Sequence, residues 1–184
     1  MKHPIADHSQ EVRIPSDFPL VCKTDAAGRI TYCNPAFLHV TGYRLKELLG
    51  RKHSALRHPD MPKGIFAHLW RHLEQGQEWF GFLKNLTARG EFFWSFAQFM
   101  PDRTGDVLHG YHAIYRPAPR SALLELETLY HEMQRIEQEA KHNGAAAASS
   151  LLWLEHRLGD LHRSYERWIF RLMSVSQPAA TRVA

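Results

Sequence analysis

From Trp79 to Tyr115 the apolar residues alternate with a period of two, whereas before and after this stretch they recur at three- and four-residue steps. That change of period restricts the chain to a mixed α and β architecture. Trp79 to Thr87, Glu91 to Pro101 and Val107 to Tyr115 read as three antiparallel strands, joined by the turns Ala88-Arg89-Gly90 and Thr104-Gly105-Asp106. Alternation places Trp79, Gly81, Leu83 and Asn85 on one face of the first strand and Phe80, Phe82, Lys84 and Leu86 on the other. In the second strand Phe92, Trp94, Phe96 and Met100 oppose Phe93, Ala97 and Phe99. A sheet apolar on both faces must be covered twice. Short helices supply one cover, and the N-terminal arm, the C-terminal tail or another subunit supplies the other.

Upstream, residues 1–17 form a polar arm with early prolines, and a sensor-sized domain spans 18–118. Leu20 to Cys22 and Ile30 to Cys33 flank the turn Asp25-Ala26-Ala27-Gly28, which reads as a hairpin. Ala36 to Val40 and Leu45 to Leu49 read as short helices closed by Gly42 and Gly50. Asp60 to Leu73 carries Ile65, Phe66, Leu69, Trp70 and Leu73 at helical spacing, with Asp60 as its N-cap and Gly76 as its stop. Residues 119–174 form a tail of two heptad-like helices, one through Leu126, Leu129, Met133 and Ile136, the other through Leu151, Leu154, Leu158, Leu161, Tyr165, Trp168 and Leu172. Those stripes either pack on their own chain or form a dimer seam. Residues 175–184 read as a disordered end.

Composition excludes several classes. No apolar run approaches the roughly twenty residues of a membrane helix, and the first residues lack a signal peptide's apolar stretch, so a cytoplasmic protein without a membrane span is expected. The formal charge of +4 is concentrated in residues 1–118, with 15 Lys/Arg against 11 Asp/Glu, while the remainder balances at 8 against 8. The cations are scattered singly, which argues against nucleic acid. Cys22 and Cys33 are too few for a disulfide framework and lack the spacing of a zinc or redox pair, so both are expected as buried, inert thiols. His68 and His72 have helical ligand spacing but no third partner, and no metal site is assigned. No nucleophile and base pair or phosphate loop is present, so no catalytic residue is assigned and the chain is not expected to be an enzyme.

Residues 57–94 concentrate Arg57, His58, Pro59, Asp60, Met61 and Pro62 with Trp79, Gly81, Lys84, Asn85 and Trp94, as a pocket for a flat, anionic cofactor would require. Arg57, with His58 when protonated, meets negative charge beside a helix N-terminus. Trp79 and Asn85 share a strand face, where an indole can flank a ring while an amide bonds its polar edge. Trp70, Trp94, Phe66 and Phe37 are read first as packing that walls the pocket. Asn34 caps the helix that follows it.

Asn34-Pro35-Ala36-Phe37, Thr41-Gly42-Tyr43, Glu47-Leu48-Leu49-Gly50, Arg57 to Pro62, Phe66, Trp70, Trp79, Lys84-Asn85, Gly90 and Trp94 together resemble the flavin-binding PAS domain of bacterial aerotaxis receptors, over residues 18–117. The resemblance implies a PAS fold of the α+β class, a five-stranded antiparallel sheet with short helices, followed here by the two-helix tail. It also implies noncovalent FAD, redox (oxygen or energy) sensing and a downstream signalling protein. Within that family Arg57, His58, Asp60, Trp79, Asn85, Asn34, Phe66, Trp70, Lys84 and Trp94 become cofactor-binding candidates. Aerotaxis receptors continue into a membrane anchor and a methyl-accepting coiled coil that these 184 residues lack. The expectation is therefore a free-standing or partner-dependent flavin sensor, homodimeric through the tail or the arm. A light sensor of the LOV type requires a cysteine over the ring, and residues 53–75 contain none. A haem gas sensor using His53, His58, His68 or His72, and a cofactor-free dimerisation module, are the alternatives.

Overall fold

The computed structural model describes residues 10–140, 143–160 and 164–174. The first nine residues of the expected arm, residues 141–142 and 161–163, and the expected disordered end at 175–184 lie outside the described residues. Two compact units result, one from residues up to Met61 with Leu69–Pro117, the other from Pro62–His68 with the residues from Ala118 on.

The first unit is a five-stranded antiparallel sheet with short helices. β1 (Leu20–Asp25) turns back into β2 (Ile30–Cys33) through Asp25 to Gly28, where the Asp25 carboxylate accepts the Arg29 amide at 2.8 Å and Gly28 takes φ 72°. α1 (Pro35–Thr41) and α2 (Leu45–Leu48) follow, then a 3-10 turn at His53–Leu56 and α3 (Lys63–Glu74). β3 (Trp79–Leu86), β4 (Phe92–Thr104) and β5 (Val107–Pro117) complete a sheet of order β2-β1-β5-β4-β3. β3 is thus one edge and β2 the other.

The register confirms the two faces expected from alternation. Trp79, Gly81, Leu83 and Asn85 stand opposite Phe99, Ala97, Ser95 and Phe93, while Lys84 stands opposite Trp94 on the other face. On the first face aromatic rings run continuously, from Trp79 to Phe99 (6.0 Å), Phe99 to Tyr115 (5.9 Å) and Tyr115 to Phe37 of α1 (5.8 Å). This is the inner face. The described end of the arm pairs with β4: Phe92 exchanges main-chain hydrogen bonds with Gln10 and Val12, and Ile14 is buried.

Two expectations are corrected. α3 starts at Lys63, not at Asp60, because residues 57 and 58 are bonded to β3 and Pro62 lies immediately before the first helical turn. Its first turn is met instead by Glu137, whose carboxylate accepts the Gly64 amide at 2.9 Å. The tail, secondly, contains three described helices instead of two: α4 (Arg120–Glu139), α5 (Asn143–Asp160) and α6 (Tyr165–Ser174). Ser164 restarts the chain, its hydroxyl accepting the Arg167 amide at 3.3 Å, an N-cap that a continuous stripe of leucines conceals. Leu126, Met133, Leu154, Leu158, Trp168, Ile169 and Leu172 are all buried inside this one chain. Glu125 joins α4 to α6 by accepting from Trp168 Nε1 (2.7 Å) and Arg171 Nη2 (2.6 Å). Among the described residues no helix is long and apolar enough to cross a membrane.

Candidate functional site

The Arg57 to Pro62 run lies along the edge of β3. Arg57 forms an antiparallel bridge with Asn85, the His58 amide donates to the Lys84 carbonyl (3.2 Å), and the Lys84 amide donates to Met61 Sδ (3.2 Å). The turn is held from within as well. Arg57 Nη2 donates to the Met61 carbonyl at 2.6 Å, the Met61 amide bonds the His58 carbonyl, and the Asp60 amide donates to His58 Nδ1 at 3.1 Å. The same Nδ1 lies 3.4 Å from the Asp60 carboxylate, an ion pair when His58 is protonated. His58 is buried with its ring edge-on to Phe92 at 5.8 Å.

Asp60 is not the expected helix cap. Its exposed carboxylate meets Lys84 Nζ at 2.9 Å, and Lys84 in turn lies 4.3 Å above the Phe92 ring. Arg57, His58, Asp60, Lys84 and Asn85 are therefore one cluster around the β3 edge. Trp94 stands across from Lys84 on the outer face. Asn34 is wholly engaged in structure: its Oδ1 accepts from Phe37 N (2.9 Å) and Val21 N (3.0 Å), and its Nδ2 donates to Pro19 O (3.0 Å). Phe66, half-buried, belongs to the part of α3 that clusters with the tail helices.

On the inner face Trp79 is buried at the Phe99 end, and Asn85 is buried at 4% exposure with its amide nitrogen lacking any hydrogen-bond partner. An amide so placed needs an acceptor. Trp70, at the surface end of α3, stands edge-on to Tyr111 at 5.3 Å. Thr24, His53, Leu69, Trp70, Phe99 and Tyr111 line a cavity of about 30 Å³ between α3 and the sheet. Sequence analysis did not single out His53 as a member of this wall. Its ring lies parallel to that of Tyr115, and the phenol and Nε2 are 2.5 Å apart. Burial pushes the His53 imidazole down to about 4 and the Tyr115 phenol well above its ordinary range, so the phenol keeps its proton and donates it to Nε2. A lone histidine in a polar loop carries no signal of this in the sequence; only the folded register of Tyr115 supplies the partner.

In kind these groups fit a flavin: an orphaned amide for a ring carbonyl, aromatic walls, and an arginine for an anionic tail. The 30 Å³ cavity, which Asn85, Trp79 and Arg57 do not line, admits about one water molecule, so a ring system needs more room than it offers.

Residues 30–110 match the PAS fold family. The fold and that match define a PAS domain within this chain. The chain is 36% identical over 121 residues to the aerotaxis receptor of Escherichia coli (strain K12), which covers 66% of this chain and 24% of the receptor. The nitrogen fixation regulatory protein of Klebsiella pneumoniae is 42% identical over 67 residues, 36% of this chain and 14% of that protein. The chain thus matches about a quarter or less of the length of these relatives. Among solved structures, the light-state LOV domain of the blue-light photoreceptor Aureochrome1 superposes with a TM-score of 0.53 at 22% identity, over 64% of this chain and 91% of that one. A PAS domain from Colwellia psychrerythraea gives 0.50 at 23% identity, over 54% and 85%. These two establish the fold alone.

Proposed function

We propose that this chain is a redox sensor whose PAS domain holds FAD noncovalently and reports to its own helical tail or to a partner signalling protein. One observation carries the reading: the Asn85 amide nitrogen is buried on the inner face without an acceptor, in a domain 36% identical to an aerotaxis receptor. Asn85 would bond the ring's polar edge, Trp79 and Trp70 would wall it, and Arg57 would meet the pyrophosphate. His58, Asp60 and Lys84 hold the turn that carries Arg57, Trp94 supports Lys84 from the neighbouring strand, and Asn34 anchors α1. Bound, a flavin supplies a ring whose charge and protonation change on reduction. Asn85 is bridged to Arg57, and Arg57 is tied to Met61, so altered bonding at Asn85 bears directly on the turn. The protein acts here as a cytoplasmic sensor and not as a catalyst.

The 30 Å³ cavity favours a second reading, a cofactor-free dimerisation module. An absorption spectrum of the purified chain, before and after addition of FAD, decides between them. Flavin bands in the blue support the sensor, a Soret band replaces it with a haem protein, and a chain that stays colourless with FAD supports the second reading. Identical hydrogen exchange of the tail in oxidised and reduced protein would refute transmission to it.

A further inference from the structure

Two sulfur atoms face one another across the β1–β2 hairpin. Cys22 and Cys33 are direct partners in the antiparallel register, both are free and buried, and their Sγ atoms are 3.7 Å apart in a hydrogen-bonded contact. The adjoining pair defines the geometry. The Asn34 amide donates to the Val21 carbonyl at 3.0 Å, which makes Val21 and Asn34 the hydrogen-bonded pair and Cys22 with Cys33 the non-hydrogen-bonded pair beside it. Such a pair brings the Cα atoms to about 4.5 Å, inside the roughly 4.4–6.8 Å that a disulfide spans. Sequence spacing gave no sign of this, because the ten residues between the cysteines are closed by the hairpin and not by a short motif.

Access is set by topology. β2 is a four-residue edge strand whose Thr31 and Tyr32 are exposed between the main-chain bonds of Ile30 to Gly50 and Arg51 and of Asn34 to Val21, so opening these few bonds admits a small molecule to the sulfurs. The pair is also asymmetric. The hydrogen bond shared by the two sulfurs draws the Cys33 thiol below its ordinary value, while that bond and burial drive Cys22 upward. Cys33, on the edge strand, is the sulfur that ionises first.

We infer that Cys22 and Cys33 are a peroxide-sensitive pair that closes reversibly into a disulfide pinning β2 to β1. The Cys33 thiolate attacks the O–O bond of a small hydroperoxide, its sulfur becoming a sulfenic acid as the far oxygen leaves as water or an alcohol. Cys22 then attacks that sulfur and expels water. With hydrogen peroxide the balance is two thiols and one peroxide giving one disulfide and two waters, both electrons passing from sulfur to oxygen. A dithiol reverses it by exchange. Neither step involves a flavin.

The test uses the full chain, reduced and then freed of reductant. After hydrogen peroxide, alkylation and intact-mass measurement should show both thiols lost together, a mass decrease of about 2 Da from the two hydrogens removed, and recovery of both thiols with dithiothreitol. The oxidised protein should also melt several degrees higher, because the bridge restricts the unfolded chain. Cys22→Ser and Cys33→Ser should each give oxygen addition at the remaining sulfur and no mass decrease. Two thiols still alkylatable after peroxide, independent sulfinic acids, or a bridge between two chains would each overturn the inference.

Discussion

Leaving the Asn85 amide nitrogen without an acceptor costs the free domain about 1–3 kcal/mol, and this makes one substitution informative in two directions. Asn85→Leu should raise the melting temperature of cofactor-free protein while weakening FAD binding about tenfold or more, read by fluorescence titration. A variant that loses stability without FAD would mark Asn85 as a framework residue. His53 offers a second measurement. Its folded value, about 4, lies below the roughly 6.5 of an unfolded histidine, so the unfolded chain binds the extra proton first. Stability is therefore complete above pH 6.5 and falls as pH drops from there towards 4, by an amount of order 1–3 kcal/mol. Denaturant melts at pH 7 and pH 5 should show this slope in the parent and a shallower one in His53→Gln. At this scale the candidate site was partly legible. The motif located Arg57, His58, Asp60, Lys84 and Asn85 as a group, since the structure gathers them at one strand edge, but their roles depended on partners distant in sequence. The Asp60 carboxylate meets Lys84 Nζ, twenty-four positions away, and His58 Nδ1 lies against the amide and the carboxylate of Asp60.

The strands were readable because their aromatic and apolar residues fall at a period of two on both faces and each turn carries a glycine. What pattern alone could not supply was the reason for particular small residues. Gly110 lies in β5 opposite Asp25, and a β-carbon there would sit 1.8 Å from the Thr24 carbonyl oxygen. Gly110→Ala should separate β1 from β5 and cost about 3 kcal/mol or more, seen as a lowered thermal midpoint and early exchange of β1 amides. Asn34 connects α1 to the hairpin through both amide atoms, so Asn34→Ala should cost more than the roughly 1 kcal/mol of an ordinary cap. A measured loss at or below that figure would show that the bonds to Val21 and Pro19 add nothing. The start of α3 was misplaced for a comparable reason. The Gly64 amide in its first turn is met by Glu137, and no window around Asp60 contains that residue.

Across the molecule, the tail was legible as amphipathic helices but not as the structure they build, because heptad spacing specifies an apolar stripe without specifying what lies against it. Here the stripe closes on itself. Leu126→Lys should therefore unfold the tail helices, with loss of helical circular dichroism at every protein concentration; a clean shift from dimer to folded monomer in light scattering would instead restore the seam. The motif along β3 has a consequence for genetics. The six-residue run from which Arg57 would meet a cofactor also completes the hydrogen bonding of an edge strand through Arg57, His58 and Met61. Selections for lost signalling will consequently return substitutions there far more often than the number of ligand contacts warrants, and abundance of the variant protein in the cell, not its phenotype, will separate the two kinds of mutant.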